Sequence, residues 1–201
     1  MKKEAIQYPR IHLAVDNCFA IKRWVEPADW MRKVQQIGNI RYIQASTDNE
    51  IDPSHSTQAF RDEWVAKVKK CEQEMGLKVV SFYSGYVTYR TVGIASLSNE
   101  KRRAMIEKYF KPTVDVAACL GAQVGNTLSA YSDTVLQSPE LYQLTTEHIE
   151  SSLASMTAYA GKKGVTFSYE QMYTPMQGMW TIDGCISCLP MCMPARVIRC
   201  T

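Results

Sequence analysis

Short apolar, β-rich runs alternate along this chain with longer stretches whose apolar positions recur three and four residues apart. The first run, residues 10–17 (RIHLAVDN), reads as a strand. Residues 26–38 follow with helical spacing, Pro27 at the start and Gly38 just past the end. A second strand is predicted at 40–46 (IRYIQAS). Its helix runs over 57–76, with Phe60, Trp64, Val65 and Val68 on one face and Gly76 as the stop. A third strand at 77–85 leads to a helix over 98–121, which Pro112 should kink or split and Gly121 should end. A weaker fourth strand covers 122–130. The fourth helix occupies 138–164, with Ser138 as N-cap, Pro139 at the first position, Glu140 in the first turn and Gly164 as the stop. A fifth strand begins at Val165, where Val165, Phe167 and Tyr169 alternate with Thr166 and Ser168 and the run ends in Glu170.

Strict alternation of strand and helix predicts a parallel sheet with crossover helices. An open doubly wound sheet and a (β/α) barrel both satisfy it. The doubly wound dinucleotide fold carries a glycine-rich turn after its first strand. Here that strand runs into DNCFAIKRW, which has no glycine, and no phosphate-loop pattern occurs. The expected fold class is therefore α/β, a parallel (β/α) barrel of the TIM type. Five strands take the chain to Met172, whereas a full barrel has eight and about 250 residues. The barrel is expected to be incomplete, about five units of eight. Residues 1–184 form the partial barrel, and 185–201 form an atypical Cys-rich tail.

Composition narrows the class. Hydrophobic residues make up 46% of the 201 and charged residues 21%, with a net charge of +3. Those values suit a globular protein and argue against a nucleic-acid partner, since VKK, EKRR and GKKG are short basic runs within helical patterns. No apolar run approaches the roughly 20 residues of a membrane helix, and the N-terminus lacks the apolar core of a signal peptide. A cytoplasmic location without membrane partners is the default expectation. Seven cysteines, an odd number, favour reduced thiols over a disulfide framework.

Barrel chemistry sits at the C-terminal ends of the strands. The polar groups there are Asp16 and Asn17, then Ser46, Asp48 and Glu50, then Tyr83, Ser84 and Tyr86, then Asn126 and Ser129, then Glu170 and Gln171. Most have a plain structural reading: Asp16, Asn17, Asp48 and Asn49 as turn or helix caps, the tyrosines as packing residues with one hydrogen bond. Glu170 is different. A carboxylate that closes an apolar strand costs free energy unless something there uses it, as a metal ligand, a general base or half of an ion pair. Of three histidines, His12 is expected as a core residue inside the first strand. His55 is expected in a solvated loop, and His148 at the surface or in the packing of the fourth helix.

The phrases IHLAVDNCFAIKRWVEPADWM, YIQASTDNE, VVSFYSG and EQMYTP with WTIDG resemble the sugar phosphate isomerase/epimerase family, the xylose isomerase-like barrels. The resemblance spans about residues 7–184. It implies metal-dependent proton transfer next to the carbonyl of a ketose or aldose, free or phosphorylated. In epimerases of that family a divalent ion, often Mn²⁺, is held by a Glu, an Asp, a His and a second Glu. The ion polarises the substrate oxygens while two carboxylates move a proton. Glu170 matches the strand-five Glu, as metal ligand and catalytic carboxylate. The other three ligands have no counterpart in this sequence, so the chain itself is expected to be weak or inactive. Strand-end placement makes Asp16, Asn17, Ser84 and Asn126 the candidate sugar contacts. A DNA-repair endonuclease on the same scaffold would need more histidine and a basic face. A non-catalytic α/β subunit, completed by a partner chain, is the alternative from another class.

Beyond Gly184 the pattern changes. CISCLPMCMPARVIRCT holds Cys185, Cys188, Cys192 and Cys200 with two prolines that oppose a helix. It reads either as a thiolate metal site of unfamiliar spacing or as a non-native ending, and the second reading is preferred. A five-stranded half barrel would leave its first and fifth strands as open, apolar edges, through which identical chains are expected to associate. It would also expose an inner face to which Val80, Phe82 and Leu128 are expected to contribute.

Overall fold

The computed structural model describes residues 11–49, 51–83, 91–127, 131–170, 174–177 and 180–186, the side chains of residues 126 and 127 excepted. One parallel sheet contains β1 (Ala14–Asp16), β2 (Tyr42–Ser46), β3 (Lys78–Tyr83), β4 (Gln123–Thr127) and β5 (Phe167–Glu170). Their order in space is their order in sequence, β1-β2-β3-β4-β5. Sequential parallel neighbours joined by helices are the arrangement of a (β/α) barrel wall, and the sheet is five units of one.

Helices cover one face. These are α1 (Pro27–Gln35), α2 (Gln58–Met75), α3 (Asn99–Met105), α4 (Lys111–Leu120), the short α5 (Asp133–Leu136) and α6 (Pro139–Lys162). Their ends follow the expected chemistry. Thr57 Oγ1 accepts from Phe60 N–H at the start of α2, and Ser138 Oγ accepts from Leu141 N–H at the start of α6. Gly76 and Gly121 close α2 and α4 in the left-handed conformation, φ 65° and 66°, which carries no Cβ penalty in glycine.

Pro112 does break the third predicted helix, and the break takes the form of a π-helical turn. Residues Ile106–Phe110 form this wide turn between α3 and α4, and Lys111 N–H reaches Ile106 O across it. Proline has no N–H to offer and its ring crowds the carbonyl one turn back, so an extra residue in that turn relieves both demands.

The main core lies between the sheet and α1, α2 and α4. Trp30, Met31, Val34, Ile43, Val79 and Phe82 are all fully buried there. A second cluster gathers Ile94, Tyr109, Phe110, Tyr131, Ile149 and Leu153 around the π turn and α6.

Three details depart from expectation. Phe82, expected on the inner face, packs on the helical side against Trp64, with ring centroids 6.0 Å apart. Val79 and Phe82 are three residues apart and would face opposite ways in a regular strand. The β2–β3 register shifts between Ile43 and Gln44 and passes over Val80. That bulge turns Phe82 into the core and leaves Ser81 and Tyr83 on the other face. Leu128 lies outside the described residues. His12, expected as a core residue of β1, precedes that strand and is exposed, its ring edge-on to Tyr42 at 5.1 Å. The edge strand is short because only Ala14–Asp16 find partners, in Tyr42–Gln44.

Candidate functional site at the strand ends

Beyond β1 the chain turns at once into a 3₁₀ turn, Asn17–Ala20. Asp16 caps that turn: its Oδ1 accepts from Cys18 N–H at 2.7 Å. The same oxygen accepts from the Tyr83 hydroxyl at 2.8 Å, joining the end of β1 to the end of β3 across β2. Burial pushes the Tyr83 phenol well above its ordinary value, and the Asp16 carboxylate adds to the shift while a hydrogen bond with Ser46 opposes it. Tyr83 is thus held as a neutral donor at the strand ends. Burial also raises the Cys18 thiol, with Asp16 contributing, so Cys18 is no activated nucleophile.

Asn17 is fully buried, and its Oδ1 accepts from Ser46 N–H at 2.7 Å. It therefore supports the loop from beneath, tying β1 to β2. Thr47 extends the same stitching: its N–H donates to Tyr83 O at 3.3 Å, and its hydroxyl meets the Tyr109 hydroxyl at 2.7 Å. The ends of β1, β2 and β3 are one hydrogen-bonded unit, reaching into the π turn through Tyr109.

Glu170 closes β5 opposite Thr127 and is exposed. Strand alternation places it with Ser168 on the face away from the helices, since Phe167 packs on Phe110 and Tyr169 on the second cluster. Asp16, Gln44, Tyr83, Ser168 and Glu170 share that inner face. At its middle, a Cβ on Gly125 would lie 3.9 Å from both Gln44 Nε2 and Ser168 Oγ, an ordinary contact distance. The inner face is therefore small and polar at its centre, where Gln44 and Ser168 both lie close to Gly125.

The structure brings Asp16 to Tyr83 and sets Asn17 beneath them. Asn126 pairs in register with Tyr169, its side chain being outside the described residues, and Ser84 lies outside them too. Tyr83 is the residue sequence reasoning undervalued, because its partner is 67 positions away. His55 matches expectation, solvent-facing with Nδ1 2.9 Å from Asp52. Cys185 is half-buried, while Cys188, Cys192 and Cys200 lie outside the described residues. Among the described residues, no three of His, Cys, Asp and Glu converge as metal ligands.

Solved structures share this fold. A candidate xylose isomerase from Rhodospirillum rubrum superposes with a TM-score of 0.80 at 19% identity, covering 90% of this chain and 61% of its own. The chain has the xylose isomerase-like barrel fold, in part. A D-allulose 3-epimerase from Methylomonas sp., in complex with D-allulose, superposes with a TM-score of 0.60 at 16% identity, over 83% of this chain and 52% of its own. A xylose isomerase-like barrel protein from Mycobacterium smegmatis, in complex with magnesium, gives 0.52 at 16% identity over 81% and 51%. This xylose isomerase-like chain thus spans between half and two thirds of the length of these structures. No protein-family model matches it, and no curated protein does. Among the described residues no helix is long and apolar enough to cross a membrane.

Proposed function

We propose that this chain is a sugar isomerase/epimerase-type protein, acting on a ketose or aldose, free or phosphorylated, by proton transfer beside the carbonyl. The observation that carries the reading is the position of Glu170. It ends the fifth strand on the inner face, the same face as the Asp16–Tyr83 pair. A carboxylate there is suited to take a proton from a sugar carbon, and Asp16 with the neutral Tyr83 hydroxyl is suited to sugar hydroxyls.

The donor set does not by itself fit a divalent ion. Among the described residues no three His, Cys, Asp or Glu side chains converge, and Glu170, the one ligand matched to the family pattern, is too few for Mn²⁺ or Mg²⁺. No step is therefore assigned to a metal, and the 201-residue chain is proposed to be weak or inactive alone. A second reading is a non-catalytic subunit completed by a partner chain. It is favoured by β1 and β5, each paired on one side only among the described residues.

Thermal unfolding by circular dichroism, with and without Mn²⁺ and D-allulose, separates the two readings. A midpoint that rises with ligand in the wild type, and does not in Glu170→Gln, supports the isomerase reading. A midpoint indifferent to metal and sugar defeats it and leaves the subunit reading.

A further inference from the structure

A cavity of about 290 Å³ opens between α3 with its π turn and α6, and none of its lining residues belongs to a strand. Arg102, Arg103 and Glu107 line one side, and His148, Ser151 and Ser155 the other. On α6, positions 148, 151, 152 and 155 form one helical stripe beside the packed stripe of Ile149, Leu153 and Met156. Where a helix pair would normally interlock apolar side chains, these two face each other with guanidinium, hydroxyl and imidazole groups.

The charge there is unbalanced. Neither Arg102 nor Arg103 has a carboxylate within ion-pair distance among the described residues, while the Glu107 carboxylate is engaged by Lys111 Nζ at 2.6 Å. Arg102 is half-buried, and one of its nitrogens donates to Ser96 O at 2.6 Å, which fixes its planar fork at the cavity. The Ser152 hydroxyl is committed to His148 O at 2.7 Å. Those of Ser151 and Ser155 make no hydrogen bond to protein among the described residues. His148 Nδ1 is enclosed without a hydrogen-bond partner among the described residues, so the ring has hydrogen-bonding capacity that no protein group uses there. Burial lowers the His148 pKa, with Arg102 adding to the shift and Glu147 opposing it, which keeps the ring neutral.

We propose that this cavity binds a phosphoryl dianion, presented by a small phosphomonoester or by inorganic phosphate. Two guanidiniums supply planar, multidentate donors for its oxygens, and the serine hydroxyls and the imidazole complete the shell. The proposal does not depend on the isomerase reading, since the cavity shares no residue with the strand-end site.

The test is a titration of the whole chain at low salt with inorganic phosphate, glycerol 3-phosphate and, as control, glycerol. It is followed by calorimetry and by the imidazole NMR signals of the three histidines. The expected result is saturable binding of phosphate or its ester but not glycerol, with the His148 signal moving and those of His12 and His55 unmoved. Tighter binding of the ester identifies a phosphomonoester as the ligand; tighter binding of phosphate identifies the free anion. Arg103→Gln, an exposed position that should fold normally, is expected to weaken binding about tenfold or more. Absence of saturation at millimolar phosphate, an unmoved His148 signal or unchanged affinity in Arg103→Gln each overturns the site. So does binding of a phosphoserine peptide in place of the small anions.

Discussion

The Asp16–Tyr83 contact shows how a single residue acquires a role from its fold position. Tyr83 reads as one more tyrosine in a strand, yet its hydroxyl spans to the end of β1 and its phenol is kept protonated by burial. Tyr131 is a second buried phenol, 2% exposed, meeting the Thr146 hydroxyl at 2.9 Å and stacked on Tyr142. Burial pushes its pKa up from 10.0 to about 12. A group raised in the folded state contributes stability that is complete below its unfolded pKa and lost as pH climbs through the folded value. Stability is therefore expected to fall between pH 10 and about 12. Tyr131→Phe should cost about 1 kcal/mol at neutral pH, for the lost hydroxyl pair, and flatten that alkaline decline. Urea titrations across this pH range check both. An alkaline limb of unchanged slope would mean that Tyr131 is not the titrating group.

Among the elements, β3 decides most. The bulge at Val80 lets Val79 and Phe82 both enter the helical core and turns Ser81 and Tyr83 to the inner face. Phe82 is fully buried against Trp64, so Phe82→Ala should cost about 3–5 kcal/mol of stability. A loss below about 1 kcal/mol in chemical denaturation would show that the side chain is not where the bulge puts it. The π turn is the other irregular element. Its Tyr109 hydroxyl supports Thr47, so the helix break that Pro112 announces also braces the β2 end of the candidate site.

For the whole molecule, the inner sheet face and the two outer strands matter most. In a closed barrel the inner face is packed; here Gln44 and Ser168 both lie close to Gly125, and Asp16, Gln123, Ser168 and Glu170 are exposed. That polar lining lets the face meet water at little cost, which an inner face carrying Phe82 would not. The edges differ. Ile11 and Leu13, beside β1, are 84% and 74% exposed. Edge pairing between identical chains is the proposed association, and a lysine next to an edge strand opposes it. Leu13→Lys should shift the chain from dimer or larger toward monomer in analytical ultracentrifugation. A wild type that sediments as a monomer at all concentrations would exclude pairing through this edge.

Local sequence determined the elements, because caps, stops and apolar spacing act within a few residues. Ser138, Gly76, Gly121 and the Pro112 break all stand where their chemistry required. The alternation of strand and helix likewise implied a parallel sheet with crossover helices, and the missing glycine-rich turn after the first strand favoured a barrel over the doubly wound fold. Glu170 was legible as the charge ending an apolar run. Tertiary structure alone decided which face Phe82 takes, because a one-residue bulge reverses the alternation on which pattern reading depends. It alone joined Asp16 to Tyr83 and set Arg102 and Arg103 against a serine stripe of α6, since those partners lie tens of residues apart. Hydrogen bonds and charge clusters of that span leave no periodic trace in a sequence, and they exist only once the sheet has brought its strand ends and covering helices together.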